Sequence, residues 1–135
     1  MVRKNHGTAV LGIGVDIVSE SDFRQVLELD KGRFFRRVFT DAELNEVGAP
    51  LQRVSRLAAA FALKEAVLKA LGTGWACGIK WKEIESSLHP NGTKVQLSGR
   101  ALEIAETMGV SSLMSAVADG ENYIVANVIL FGERP

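Results

Sequence analysis

The sequence predicts an α+β fold, in which an antiparallel β-sheet packs against a long, buried central helix and several shorter helices. One observation is a helical stretch over 57–71 that is apolar nearly all round, as expected of a helix that its neighbours bury. A second is a β-branched, apolar run over 9–18, which is typical of a buried strand. The third is a set of alternating segments separated by turns, over 79–97 and 113–131, which predicts two hairpins.

Length and composition predict one domain over residues 1–135, with residues 1–8 as a flexible N-terminal extension. The chain is 47% hydrophobic, which is enough for one core, and it is too short for two comfortable domains. The single cysteine, Cys77, cannot form an intramolecular disulfide. The two histidines, His6 and His89, belong to no cluster with zinc-ligand spacing. These features fit a reducing compartment.

The charge balance argues against nucleic acid and membrane partners. Sixteen basic and sixteen acidic residues cancel, so no net field attracts the protein to nucleic acid or to an anionic membrane. Glycines and an aspartate interrupt the apolar run near the N-terminus, so neither a signal peptide nor a membrane span is predicted. We therefore expect a cytoplasmic protein whose charge-based partners use a local patch.

Capping residues predict two short helices in the first half of the chain. Ser19 or Ser21 can cap a helix over 22–31, and Gly32 is placed to end it. After a short turn over 33–39, a capping box formed by residues 40 and 43 predicts the start of a second helix.

The second helix is expected to stop near Gly48, and Pro50 is assigned to the loop that follows. The central helix should then begin between Arg53 and Arg56.

Turn signals organise the second half of the chain. The segments 79–85 and 95–97 alternate on either side of the sequence HPNGT, which predicts the first hairpin. Ser98 can cap a further helix over 100–108. Residues 119–122 join the strands of the second hairpin.

An aspartate lies inside the first predicted strand. Burying an unpaired carboxylate costs several kcal/mol, so Asp16 must be paired, hydrogen-bonded or bound to a cation. Alternatively, Asp16 ends the strand and caps the turn before Ser19.

The central helix carries a second unusual carboxylate. Glu65 and Lys69 are four residues apart and therefore share one face, where a plain surface pair would contribute only about 0.2–0.5 kcal/mol. The helix runs into Gly72, Thr73 and Gly74. The first glycine is placed for a helix C-cap, and two glycines around a threonine also allow backbone N–H groups to approach an anion.

Two sequence signatures together resemble those of the holo-acyl-carrier-protein synthases. The first signature is Gly12-Ile13-Gly14-Val15-Asp16-Ile17-Val18. The second is Phe61-Ala62-Leu63-Lys64-Glu65-Ala66 followed by Lys69-Ala70-Leu71-Gly72-Thr73-Gly74. The resemblance continues through FTDAEL over 39–44, NG-x-K over 91–94 and ADGENY-x-x-A over 118–126.

The resemblance implies a 4′-phosphopantetheinyl transferase fold. It implies transfer of 4′-phosphopantetheine from coenzyme A to a serine of acyl carrier protein, with release of 3′,5′-ADP. It also implies a Mg²⁺ requirement, a place in fatty acid biosynthesis, and a homotrimer with active sites between neighbouring protomers.

The resemblance also assigns roles to individual residues. Asp16 and Glu65 would hold Mg²⁺, which prefers oxygen ligands and normally takes one or two protein carboxylates alongside substrate phosphates. Lys69 would face the diphosphate and assist catalysis. Coenzyme A would contact Lys64, Lys69, Gly72, Thr73 and Gly74. The general base is either Glu65 or a metal-polarised water, and the residues do not choose between them.

Three positions depart from the pattern of many family members. Ala60 stands where an arginine precedes the phenylalanine of the central helix, Asp22 stands where an arginine is frequent, and Asp119 stands in place of a histidine. Two alternatives follow. One is a trimer that binds coenzyme A or a nucleotide without catalysis. The other is an interaction domain in which Asp16 and Glu65 are structural.

A basic strip lies between residues 24 and 37. Its five basic residues against two acidic ones give a net charge of +3; they are Arg24, Lys31, Arg33, Arg36 and Arg37, against Glu28 and Asp30. Such a run is often just a solvated helix face. Because acyl carrier proteins are strongly acidic and this segment aligns with the part of the family that docks them, we expect Arg24 and Arg33 to bind the carrier protein.

Overall fold

The computed structural model describes residues 7–30, 32–47 and 50–135. In these ranges the strands form two antiparallel sheets, one with the order β1-β5-β4 and one with the pair β2-β3. The strands are β1 (Ala9–Ser19), β2 (Ile84–His89), β3 (Gly92–Leu97), β4 (Val110–Asp119) and β5 (Tyr123–Gly132). The predicted α+β class with antiparallel strands and two hairpins is confirmed, and the strands are divided between two sheets.

Within the described residues, five α-helices connect and cover these strands. They are α1 (Glu20–Leu29), α2 (Arg33–Val38), α3 (Asp41–Glu46), α4 (Pro50–Leu71) and α5 (Gly99–Met108). The Ser19 hydroxyl caps α1 by accepting a hydrogen bond from the Asp22 amide at 3.3 Å. The predicted capping box of Thr40 and Glu43 is present at the start of α3. Local capping chemistry therefore fixes where these helices begin.

Several predicted boundaries were wrong. The central helix α4 begins at Pro50 rather than at 53–56, because a proline at the first helical position loses no intrahelical hydrogen bond. The first helix spans Glu20–Leu29 rather than 22–31. Strand β2 begins at Ile84, since Trp81–Glu83 form a 3-10 turn. The predicted helix end at Gly48 lies outside the described residues, as do Lys31 and residues 1–6 of the predicted flexible extension.

The N-terminus of α5 is capped differently from the prediction. Ser98 occupies the N-cap position but its side chain makes no capping hydrogen bond. Instead, the Glu83 carboxylate accepts hydrogen bonds from the amides of Arg100 at 3.2 Å and Ala101 at 3.4 Å. A negative charge at this end also interacts favourably with the helix dipole.

Helix α4 fills the centre of the molecule and packs against the three-stranded sheet. Residues 57–60 and 62–64 are buried, as the apolar circumference of this helix predicted. Strand β1 lies directly on it, because a Cβ atom at Gly12 or Gly14 would overlap the carbonyl oxygen of Ala70 or Ala66, respectively. The two glycines therefore permit backbone-to-backbone packing between β1 and α4.

The alternation of the three-stranded sheet separates two faces. From Gly12 to Val18 in β1, and along β5, even-numbered residues point toward α4 and odd-numbered residues point outward. The outward face is apolar and open: Ile13 and Ile17 are each 62% exposed, and Met114 is 63% exposed. None of the helices in the described ranges is long and apolar enough to span a bilayer.

Candidate functional site

Asp16 and Lys69 form an ion pair across the contact between β1 and α4. The Lys69 Nζ atom lies 2.9 Å from Asp16 Oδ1 and donates a second hydrogen bond of 2.9 Å to the Val15 carbonyl. The Asp16 side chain is 16% exposed, whereas that of Lys69 is 54% exposed. Asp16 lies within β1, opposite Ala126 of β5, so the interpretation in which it ends the strand is wrong.

Glu65 lies one turn before Lys69 on α4 and is half-buried. Burial raises the pKa of Glu65, and the carboxylate of Asp16 raises it further. A hydrogen bond from the Trp75 side chain and the charge of Lys69 partly oppose these effects. Asp16 and Glu65 also line one open pocket of about 360 Å³, together with Asp22 and Phe61. The fold thus brings together the two carboxylates that the sequence singled out.

The donor set at this pocket fits a hard divalent cation. Two carboxylates at a partly buried position repel each other. A cation that lies between them offsets this repulsion and the cost of burying the charges. Within the described ranges, no group of three or more His, Cys, Asp and Glu residues could hold a metal ion. A Mg²⁺ ion bound by Asp16 and Glu65 would therefore complete its coordination with water or with substrate oxygens, which is its usual preference.

The Gly-Thr-Gly segment forms the C-terminal cap of α4, as predicted. Gly72 has a φ of 74°, and Gly74 has a φ of 54°. The amides of Gly72 and Thr73 both donate to the Leu68 carbonyl, at 3.0 and 3.3 Å. Two of the three amides that we expected to approach a phosphate are therefore already used by the helix cap.

Lys64 does not lie where a ligand can reach it. Its side chain is 0% exposed, and Nζ lies 2.7 Å from Glu43 Oε1. The same ammonium donates to the carbonyl oxygens of Trp81 and Ile84. Burial lowers the pKa of Lys64, and Glu43 partly offsets this. The expectation that Lys64 contacts coenzyme A is therefore corrected: this lysine ties α4 to α3 and β2 in the interior.

Replacing Lys64 by Met should destabilise the fold by about 3–5 kcal/mol, because Glu43 would remain buried without its counter-ion. The measurement is the free energy of unfolding from urea denaturation. The double variant Lys64→Met, Glu43→Gln should recover part of the loss, since it leaves no uncompensated charge. A Lys64→Met protein that loses less than about 1 kcal/mol would contradict this role.

Sequence reasoning missed a pair of tryptophans, one of which, Trp75, interacts with Glu65. The ring centroids of Trp75 and Trp81 are 3.7 Å apart, and Trp81 stacks on Phe61 of α4 at 5.3 Å. The sequence did contain a signal that could have pointed to these residues, because both tryptophans of the chain lie within the seven residues after Gly74.

The basic strip contributes exposed arginines from α1 and α2. Arg24 lies in a groove with Phe35 and Arg53, and the guanidinium of Arg53 stands 5.3 Å from the centre of the Phe35 ring. Arg33 is exposed at the first position of α2. Arg53 lies outside the sequence segment 24–37, so charge counting along the chain did not include it.

The three departures from the family pattern lie in different surroundings. Asp22 is exposed and lines the pocket of Asp16 and Glu65. Ala60 is buried. Asp119 lines a separate pocket of about 390 Å³ with His89 and Arg56. Arg56 lies on α4, one helical turn before Ala60.

Comparison with known proteins connects this site to one family. The profile of the 4′-phosphopantetheinyl transferase superfamily matches residues 12–128. The holo-[acyl-carrier-protein] synthase of Shewanella amazonensis is 41% identical over 123 residues, which cover 90% of this chain and 98% of that protein.

Solved structures agree with this relationship. The holo-[acyl-carrier-protein] synthase of Neisseria meningitidis superposes with a TM-score of 0.77 at 30% identity, covering 90% of this chain and 98% of that one. The Helicobacter pylori enzyme in complex with coenzyme A gives a TM-score of 0.75 at 27% identity, with 87% and 98% covered. The chain described above therefore belongs to the 4′-phosphopantetheinyl transferase superfamily and, within it, to the holo-[acyl-carrier-protein] synthases.

Proposed function

We propose that this protein transfers 4′-phosphopantetheine from coenzyme A to a serine of apo acyl carrier protein. The reaction releases 3′,5′-ADP, requires Mg²⁺ and serves fatty acid biosynthesis in the cytoplasm. The observation that carries the proposal is the meeting of Asp16, Glu65 and Lys69 where β1 crosses α4. Family membership supports the reaction type, and the chemistry of the three side chains supports the roles below.

Asp16 and Glu65 hold the cation in this proposal. When bound, Mg²⁺ supplies charge neutralisation for the diphosphate of coenzyme A, which is the main requirement of phosphoryl transfer through a loose transition state. Lys69 is half-exposed and already oriented by Asp16 and the Val15 carbonyl, so its ammonium is placed to bind an anionic oxygen beside the carboxylates.

The proton of the attacking serine needs an acceptor. Glu65 is the candidate from this chain because it lines the pocket with Asp16, and a water polarised by the bound cation is the alternative. Gly72, Thr73 and Gly74 close the end of α4 one turn beyond Lys69, and Gly74 is exposed there. In the proposal, these residues bind coenzyme A through the backbone groups that are not used by the helix cap.

A homotrimer would account for the outward face of the three-stranded sheet. Ile13, Val15 and Ile17 of β1 and Met114 of β4 form an apolar surface on that face, and an apolar face of this kind is usually covered by a partner. We propose that neighbouring protomers cover it. Analytical ultracentrifugation should then give a mass three times that of the 14.6 kDa chain, and a stable monomer would contradict the proposal.

The deciding experiment is mass spectrometry of an apo carrier protein incubated with coenzyme A, Mg²⁺ and this protein. Gain of one phosphopantetheine group would establish the reaction. No mass shift with any carrier protein of the same cell, combined with Mg²⁺-dependent binding of coenzyme A, would favour a binding protein without transfer activity. Ala60 and Asp119 are the positions that motivate this second outcome.

Reversing Arg24 and Arg33 to Glu should raise the KM for carrier protein several-fold and leave the KM for coenzyme A nearly unchanged. Both arginines are exposed, so the change acts on electrostatic attraction to an acidic partner rather than on the core. The loss of kcat/KM with added salt should also become shallower. Steady-state kinetics at several salt concentrations measure both effects.

The matched control for this reversal is Arg134→Glu, which changes an exposed arginine near the C-terminus by the same charge. It should leave both KM values close to those of the wild type. Equal effects of the Arg24 and Arg33 changes on both substrates would argue against a docking role.

A further inference from the structure

Trp75 contacts Glu65, but the proposed reaction gives this tryptophan no role. Its side chain hydrogen-bonds the Glu65 carboxylate. Lys69 acts on the same carboxylate through its charge, because its ammonium hydrogen-bonds Asp16 and the Val15 carbonyl instead. The indole, rather than the ammonium, is therefore the group that holds Glu65 by a hydrogen bond.

The turn at the end of α4 brings Trp75 back to Glu65. In a helix that continued, residue 75 would lie about 15 Å further along the axis than residue 65. Gly72 and Gly74 instead adopt positive φ values of 74° and 54°, which glycine reaches at little cost. The chain therefore leaves the helix axis after Leu71 and returns toward the turn of α4 that carries Glu65.

Two further aromatic rings fix the direction of the indole. The ring centroids of Trp75 and Trp81 lie 3.7 Å apart, and Trp81 stacks on Phe61 at 5.3 Å. Phe61 stands one helical turn before Glu65 on α4. Both ends of this row of rings are therefore tied to the turns of α4 around Glu65. Packing of this kind restricts the rotamers of a supporting side chain, so the donor is oriented before any ligand binds.

An indole is well suited to orient a carboxylate that binds a cation. It has one N–H donor and no acceptor, and it carries no charge. A carboxylate that accepts from it through one oxygen keeps its other oxygen for a cation, and a neutral donor does not repel that cation. Residues that hydrogen-bond a metal ligand in this way fix its orientation, and their mutation typically lowers metal affinity or activity by about 10–100-fold.

We propose that Trp75 is a positioning residue, whose indole N–H orients Glu65 for Mg²⁺ binding. The inference rests on the proposed function, since it takes Glu65 as a Mg²⁺ ligand. Trp75→Phe keeps an aromatic ring and removes the donor, so it should weaken Mg²⁺ binding by about 10-fold. It should also lower kcat for transfer and leave the KM for carrier protein unchanged. Trp81→Phe is the matched control, because it shortens the neighbouring ring and keeps the Trp75 donor.

Calorimetric titration with Mg²⁺ measures the affinity of both variants and of the wild type, independently of turnover. The two tryptophans also provide a spectroscopic readout, because each variant leaves one of them in the chain. In Trp81→Phe, the emission of Trp75 should change during the Mg²⁺ titration, with the midpoint found by calorimetry. Adding Glu65→Gln to this variant should abolish the change. In Trp75→Phe, the emission of Trp81 should stay nearly constant.

The outcomes separate this inference from the proposed function. Wild-type Mg²⁺ affinity in Trp75→Phe would overturn the positioning role and leave the proposed function intact. Equal losses of affinity in Trp75→Phe and Trp81→Phe would overturn it too, because aromatic packing rather than the N–H would then account for the effect. A wild-type protein that binds no Mg²⁺, with or without 3′,5′-ADP, would overturn the proposed metal site and this inference with it.

Discussion

Asp16→Asn and Glu65→Gln should each lower kcat/KM for carrier protein modification by more than about 100-fold. Mutation of a residue that only hydrogen-bonds to a metal ligand typically lowers metal affinity or activity by about 10–100-fold. These two substitutions remove a ligand itself. An amide of nearly unchanged size keeps the packing of β1 on α4 and lacks the negative charge that Mg²⁺ requires. Calorimetric titration with Mg²⁺ should show weaker cation binding by both variants, independently of turnover.

The fold should survive both substitutions. In the ion pair of Asp16 and Lys69, the lysine side chain is half-exposed. Loss of the pair should therefore lower the free energy of unfolding, measured by urea denaturation, by no more than about 1 kcal/mol. Glu106→Gln is the matched control, because Glu106 is an exposed carboxylate on α5, away from the site. Wild-type turnover by either site variant at limiting Mg²⁺ would eliminate the two-carboxylate site.

The two carboxylates could be identified from the sequence because each interrupts an apolar segment. A charge in such a place needs a partner or a ligand, and this requirement holds before the partner is known. Their separation along the chain is 49 residues, so only the resemblance to a family placed Asp16 and Glu65 at one site. The structure adds the ion pair with Lys69 and the contact with Trp75.

Lys64 could not be assigned correctly because its partner is distant in the sequence. The capping box already explained Glu43 by a local role, and its side chain does accept a hydrogen bond from the Thr40 amide. The same carboxylate also pairs with Lys64 and accepts hydrogen bonds from Ser86. Periodicity and capping rules describe neighbours along the chain, so they give no signal for a side chain that satisfies groups on three elements.

The boundary errors have a similar cause. Residues 79–85 alternate in polarity, which predicts a strand, but Trp81–Glu83 form a 3-10 turn whose glutamate caps α5. A tertiary partner outweighs weak local alternation over so short a segment. Gly12 and Gly14 were recognised as part of a motif, and only the structure shows that they allow β1 to touch α4.

Gly14→Ala should destabilise the protein by about 3 kcal/mol or more, at the upper end of the range for overpacked cores. The new Cβ would overlap the Ala66 carbonyl oxygen and stand 2.8 Å from the Ala70 nitrogen, and both belong to the rigid backbone of α4. We expect a melting temperature lower by roughly 10 °C. Because Asp16 follows two residues later on the same face of β1, the folded fraction should also lose activity per molecule.

Gly120→Ala is the matched control for this substitution. A Cβ at Gly120 would meet only the Tyr123 carbonyl oxygen, at an ordinary 3.5 Å, so its unfolding free energy should stay within about 0.5 kcal/mol of the wild type. Gly14→Ala and Gly120→Ala change the unfolded chain in the same way, since each replaces a glycine by alanine. The difference between them therefore isolates the contact of β1 with α4. Equal melting temperatures for the two variants would mean that this contact is looser than the structure indicates.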